Sequence, residues 1–386
     1  MPKQEFCEQN SINVLSFGAD KTGIADSEPA FARAVLAAVR DGKALYIPCG
    51  RYRMVGTWQL PSHAHIFADP CARIFADGEH RRQRGEFLVT NDAAENGGNT
   101  DISITGGVWD GNNTAPGNAK PDIFDPDGYS GTVLNFCGVT ELHLSDMVVA
   151  NSVTYNIRMA RIEHFTIENI SFLSDTFGQN QDGLHFNGEV RHGFVRNIRA
   201  LSRGQTNDDL IALNADDSMV RTENYGMVCG AIEDIVFENL YAEDCHTILR
   251  LLSVTSPIRN ISIRGVYGGY RCYAINADGA RYCRTPLFRE EDFPDGCGAI
   301  QNVRIEDMVC FPTTDKVAPA VCLESVADGL TLCGFKLLSE NASQPALLVR
   351  NVAGTEVVAD GTVHRVSAKS ESLEVREFGE LMVSKK

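Results

Sequence analysis

Short runs in which apolar and polar residues alternate recur along most of the chain. Residues 101–109, 141–149, 164–172, 193–200, 234–242, 260–268, 302–310 and 329–337 read as pairs of short strands around a polar turn, often Asn or Asp. A second set of shorter strands follows at 156–159, 184–187, 211–214, 249–252, 273–276 and 321–324. Side chains on a strand switch faces at every residue, so each run presents one apolar side. Successive copies lie about one solenoid coil apart, with longer spacings where loops intrude, and no helical period separates them. That repeat predicts stacked β-coils and not a doubly wound sheet. Stacking buries a continuous core that no single coil could bury alone.

The opening differs. Residues 12–25 read as a strand and a glycine-rich turn. A helix follows, with Asp26 or Ser27 as N-cap, Glu28 and Pro29 in its first turn, Phe31, Val35, Leu36 and Val39 as an apolar stripe, and Gly42 at its end. The open end of a β-solenoid exposes apolar interior and unpaired backbone, and needs such a cap. This opening resembles the N-terminal segment of pectate-lyase-like right-handed parallel β-helix proteins, in which a short helix plugs the first coil. The expected fold is therefore all-β: a single-stranded right-handed parallel β-helix with a short N-terminal capping helix. One domain is expected over residues 1–386: cap and first coil at 12–55, main coils at 100–350, and a C-terminal end at 351–386 that finishes the solenoid and frays. Loops at 110–130, 215–231 and 280–298 are placed to wall a groove.

The formal charge is −16, from 51 acidic and 35 basic residues. No block of Lys or Arg stands out, which argues against nucleic acid, and no apolar run reaches the length of a membrane span. The N-terminus lacks the apolar core of a secretory signal, so a cytoplasmic protein is expected. The 12 cysteines show no CxxC pairs, and reduced, buried thiols are the expectation. Oligomeric state is left open, a homo-oligomer included.

The candidate chemistry lies in the stretch 180–217. Residues 182–187 align with residues 209–214, 27 positions later. If the two copies stack as parallel strands, Asp182 lies over Asp209 with Asp208 beside them, and three carboxylates meet. Down the same column the outward residues are Arg158, His185, Ala212, Arg250 and Ala274, a floor for a groove. Asn187, Asn214 and Asn276 are expected to form an asparagine ladder at the turn.

The paired motif resembles the polygalacturonase family of glycoside hydrolases, family twenty-eight, whose pattern is Asn-Thr-Asp-Gly, Gly-Asp-Asp, Gly-His-Gly and Arg-Ile-Lys. Here the first motif stands at 180–183, beginning with Asn180, and the second at 207–209. The third has no match in the corresponding region around Glu223, and the fourth is half kept as Arg250, Leu251 and Leu252. The resemblance implies metal-independent, inverting hydrolysis without a cofactor. Asp208 would be the acid, and Asp182 and Asp209 would activate water. One protonated and one ionised carboxyl are what the chemistry needs, and crowding carboxylates separates their pKa values. Asn180, His185, Arg158, Arg250, Asp216 and Glu223 are the candidate substrate contacts; Asp216 and Asp217 alternatively order their loop. Leu252 in place of the family's lysine, together with the acidic chain, points to a neutral sugar, or to one whose acid group is bound elsewhere, for instance by Arg158 or Arg250; the missing secretory signal fits short oligosaccharides cut in an exo mode. Two rivals remain open. One is a lyase or epimerase with carboxylate-bound Ca²⁺ and Arg158 or Arg250 as base. The other is a non-catalytic, tailspike-like glycan-binding protein.

Overall fold

A computed structural model describes residues 10–80, 82–118, 129–217, 224, 226–284, 287–316, 318–341 and 343–386. The chain winds into a right-handed parallel β-helix in which each strand pairs in parallel with the equivalent strand of the coils before and after it. Ile157 pairs with Leu184, Leu184 with Ile211, Ile211 with Leu249, Leu249 with Ile275 and Ile275 with Val321. A second series runs through Phe165, Gly193, Ile235, Ile261, Val303 and Leu330. The 27-residue offset that aligns residues 182–187 with 209–214 is thus the register of the solenoid. Inward positions are buried and apolar from Val14 to Val383 and form one continuous core.

Corners between strands are set by residues in the left-handed region. Asn169, Asn197 and Asn239 have φ of 59°, 56° and 58°, a conformation that Asn tolerates better than other non-glycine residues. Their amides form a ladder: Asn197 Nδ2 donates to Asn169 Oδ1 at 2.7 Å and Asn239 Nδ2 to Asn197 Oδ1 at 3.1 Å. A second runs from Asn302 through Asn260 to Asp234 at 2.9 and 2.8 Å. The ladder therefore lies at the corner inside each strand pair, not at Asn187 and Asn214. Asn187 is fully buried with neither amide atom hydrogen-bonded, and Asn214 Nδ2 donates instead to Asp217. Asn197→Ala removes two ladder bonds and puts Ala in a left-handed conformation, so a loss of about 1–2 kcal/mol is expected in urea unfolding. A change below ~0.3 kcal/mol would show that the corner needs no asparagine.

The helix spans Glu28–Arg40 and caps the first coil with Phe31, Ala34, Val35 and Ala38. Phe31 meets Trp58 edge-on at 5.0 Å, and Trp58 stacks on Trp109 at 6.2 Å, which places both tryptophans in the core. Leu36, expected in the apolar stripe, is 60% exposed, because alanines and not larger residues face the narrow coil end. Asp26, not the Ser27 side chain, supplies the cap bond, accepting from the Glu28 N–H at 3.0 Å. At the other end the chain does not fray. Strands Thr355–Ala359 and Glu380–Lys385 pair antiparallel, and Glu380–Lys385 also closes against Ala327–Leu337, covering the last open edge. Cys49 and Cys71 form a disulfide, contrary to the expectation of reduced thiols throughout, while nine other described cysteines are free and six of those are buried. Among the described residues no helix is long and apolar enough to cross a membrane.

Candidate active site

Two neighbouring coils begin their strands at Leu184–Phe186 and Asp209–Asn214. The Gly183 N–H donates to the Asp209 carbonyl at 2.8 Å and carries Asp182 to the rung beside Asp209. Glycine is required there, since a Cβ would lie 2.5 Å from the Leu210 carbonyl oxygen and 2.8 Å from the Phe172 ring. The Asn207–Asp208 bend is pinned by Arg271, whose Nη2 donates to the Asn207 carbonyl and side-chain oxygen, both at 3.0 Å. The next coil aligns Thr247 with Asp209, so His246 stands beside Asp208. The ligand atoms of Asp208, Asp209 and His246 all lie within 4.8 Å of one another.

Burial divides the three aspartates. Asp208 is 27% exposed at its side chain, whereas Asp182 and Asp209 are each 2% exposed. Burial, then the Asp208 charge, hold the Asp209 carboxyl well above the ordinary carboxylate range, against the pull of Arg250. A raised proton affinity suits Asp209 to hold or relay a proton beside Asp208. Asp182 is paired with His185, whose Nδ1 lies 2.5 Å from its Oδ2. The His185 ring stacks on Tyr155 at 3.8 Å, and its Nε2 lies 3.7 Å from Asp217 Oδ2. His185 is thus held inside a buried Asp–His–Asp row.

Several expected substrate contacts are committed elsewhere. The column Arg158, His185, Ala212 and Ala274 is fully buried and is no open floor. Arg158 Nε donates to Asn135 Oδ1 at 3.0 Å, and its guanidinium lies over Phe87. Asp216 accepts from the N–H groups of Val254, Thr255 and Ser256 at 2.6–2.7 Å and orders that loop. Arg250 donates to both Asp278 oxygens at 3.0–3.2 Å and to Tyr282, and lies 3.5 Å from Asp209. Burial alone would lower its pKa, but Asp278, Tyr282 and Asp209 outweigh that and hold it well above the usual value. Leu252 is buried against Val254, Tyr282 and Cys283. Asn180 is half-buried at the loop before Asp182, with φ 61°. Glu223 lies outside the described residues.

His246 is the functional candidate that motif reading misses. The signal was in the register: strands 211–214 and 249–252 align, and three residues back from each lie Asp208 and His246. Burial would lower the pKa of His246, but a hydrogen bond with Cys272 and the charges of Asp208, Cys272 and Asp209 raise it from 6.5 to about 9. The His246 bond in turn lowers the Cys272 thiol, and Lys316 Nζ lies 3.6 Å from that sulfur. Because the folded value exceeds the unfolded one, His246 contributes stability in full below pH 6.5 and loses it as pH rises toward 9. His246→Gln is therefore expected to flatten the decline of unfolding free energy across that window. An unchanged slope would place the titration elsewhere.

The sequence matches the family model described as rhamnogalacturonase A/epimerase, pectate lyase-like, over residues 11–271. The chain belongs to that family. No curated protein matches it in sequence. Among solved structures it is similar to the surface adhesin PfbA of Streptococcus pneumoniae (TM-score 0.60, 13% identity, 92% of this chain and 100% of that one). It is similar to the pre-mature gene product 12 of bacteriophage phi29 (0.63, 14%, 88% of this chain but 44% of that one). It is also similar to the family 28 exopolygalacturonase of Yersinia enterocolitica (0.58, 15%, 86% of this chain and 66% of that one). An adhesin and a hydrolase thus share this architecture, so the fold alone does not decide the activity.

Proposed function

We propose that the protein is a glycoside hydrolase that cleaves a glycosidic bond with inversion at the Asp182–Asp208–Asp209 cluster. The observation that carries this reading is the division of the trio: one accessible carboxyl, one buried carboxyl whose proton affinity is raised, and one carboxylate braced by a histidine. Asp208 is the general acid and carries a proton at the start of the cycle. Asp208, the member a sugar can reach, gives it to the leaving oxygen. Water attacks the anomeric carbon from the opposite face and passes its proton to Asp182. The C–O bond to the leaving group breaks, a C–OH bond forms with the opposite configuration, and solvent returns a proton to Asp208 and takes the one left on Asp182. His185 fixes Asp182 and takes up part of its charge change.

The substrate is proposed to be a short, neutral oligosaccharide, cut in an exo mode. In support, Arg250 and Arg271 beside the cluster are already paired with Asp278 and Asp244, and the chain carries net charge −16. A panel of neutral and uronate oligosaccharides tests this, and a clear preference for polygalacturonate would overturn the neutral assignment. The lyase reading loses its base, because Arg158 is fully buried and Arg250 is held charged.

If His185 braces Asp182 and does not touch sugar, His185→Ala lowers kcat about 100-fold and moves KM by less than about threefold. A raised KM with unchanged kcat would return His185 to substrate binding.

A further inference from the structure

We propose that Asp208, Asp209 and His246 form a binding site for one divalent transition cation of the Zn²⁺ class. The proposal rests on the hydrolase reading only for its consequence, inhibition; the binding itself does not depend on it. A tetrahedral ion with oxygen and nitrogen ligands at about 2.0–2.2 Å sets its ligands roughly 3.4 Å apart. Three donor atoms already within 4.8 Å of one another need only small side-chain shifts to reach that.

The donors are two carboxylates and an imidazole, a set that suits Zn²⁺ and its first-row neighbours. Ca²⁺ would need about six to eight oxygens, and the imidazole counts against it. A second observation points to the same spot. Asp209 Oδ2 is buried and has no hydrogen-bond donor; its nearest cation, Arg250 Nη1, stands 3.5 Å away and is shared with Asp278. The cluster therefore contains a buried carboxyl oxygen that no hydrogen-bond donor satisfies.

The surroundings match those of a ligating histidine. Such a ring commonly bonds an acceptor with its second nitrogen, which fixes its orientation and raises its basicity. Here His246 Nδ1 lies 3.2 Å from the Thr247 hydroxyl and 3.5 Å from Asp208 Oδ1, and the Cys272 thiol interacts with the same ring. Cys272 is then a positioning residue that acts through the ring. Asp208 and His246 are 27% and 40% exposed at their side chains, so an ion can enter from solvent and the fourth position is left to water. Bound there, the ion takes the Asp208 oxygen that would otherwise carry the transferable proton, and turnover stops.

The test is titration of the full chain, stripped with a chelator, with Co²⁺ followed by absorption and with Zn²⁺ followed by calorimetry. We expect one equivalent bound, with the absorption of four-coordinate cobalt and no thiolate charge-transfer band. His246→Gln and Asp208→Asn are each expected to weaken binding at least ~100-fold, and Cys272→Ser about 10–100-fold with an unchanged spectrum. His65→Ala, which alters the surface His65–Asp101 pair, should change nothing. Both ligand variants are close in shape to the native residues and lie at the surface, and the Cys272 variant gives a readout that spares the ligands. No stoichiometric binding, or binding undiminished in both ligand variants, overturns the site. A sulfur-to-cobalt band lost in Cys272→Ser overturns the donor set. Stoichiometric Zn²⁺ should suppress glycan turnover at least ~100-fold, reversibly on chelation. Binding as described in a chain that turns over no glycan would sink the hydrolase reading and leave the site standing; normal turnover without binding would do the reverse.

Discussion

Asp208→Asn is expected to lower kcat by about 10³–10⁴-fold while leaving KM and thermal stability nearly unchanged. A general acid that protonates the leaving oxygen contributes on the order of 10²–10⁴-fold. The upper part of that range applies here because no neighbour is placed to replace it. Asp209, next to it, is buried and lies 3.5 Å from the Arg250 guanidinium. His246 stands 3.5 Å from the Asp208 carboxylate, but its charge is already drawn into the pairing with Asp208 and Cys272. Stability should hold because the Asp208 side chain is not buried and the Asn amide keeps its shape. Its backbone carbonyl, which accepts from the His246 N–H at 3.2 Å, is untouched. An Asn variant that keeps more than about a tenth of wild-type turnover would remove Asp208 from the acid role.

The largest loss of stability is expected from Phe186→Ala, about 3–5 kcal/mol in urea unfolding. Phe186 is fully buried and joins three coils. It lies 5.8 Å from the Phe165 ring in the coil before and 5.9 Å from Phe237 in a later one, crossing the latter at 87°, a geometry that adds to simple burial. A cavity inside stacked coils collapses poorly, since each strand is held at fixed spacing by the ladder on both sides. Phe186 also closes the three-residue strand that carries His185, so the variant should lose activity along with stability. A cost below ~1 kcal/mol would show that neighbouring coils relax into the space.

The solenoid was legible in the alternation of strands such as 234–242 and 260–268, because period-2 burial repeats in every coil. The juxtaposition of Asp182 and Asp209 followed from the same register. What alternation cannot give is whether an outward residue faces solvent or a covering loop. Arg158 and His185 occupy outward positions, as expected, yet lie under 2% exposed, each satisfied by a neighbour that sequence spacing does not reveal: Asn135 and Phe87 for Arg158, Asp182 and Tyr155 for His185. Asp216 looked like a groove residue, but its oxygen is used by three backbone N–H groups some forty residues later. His246 was missed for a different reason. The loop before it lengthens the spacing, so the motif position expected near Glu223 holds no histidine, and only the pairing of strands 211–214 and 249–252 reveals it.

Inverting hydrolysis at the aspartate cluster is tested by following product configuration with proton NMR in the first turnovers on a cleavable oligosaccharide. The new reducing end is expected first in the configuration opposite to that of the bond cut, equilibrating only later. Retained configuration, or an unsaturated product absorbing in the ultraviolet, would contradict it.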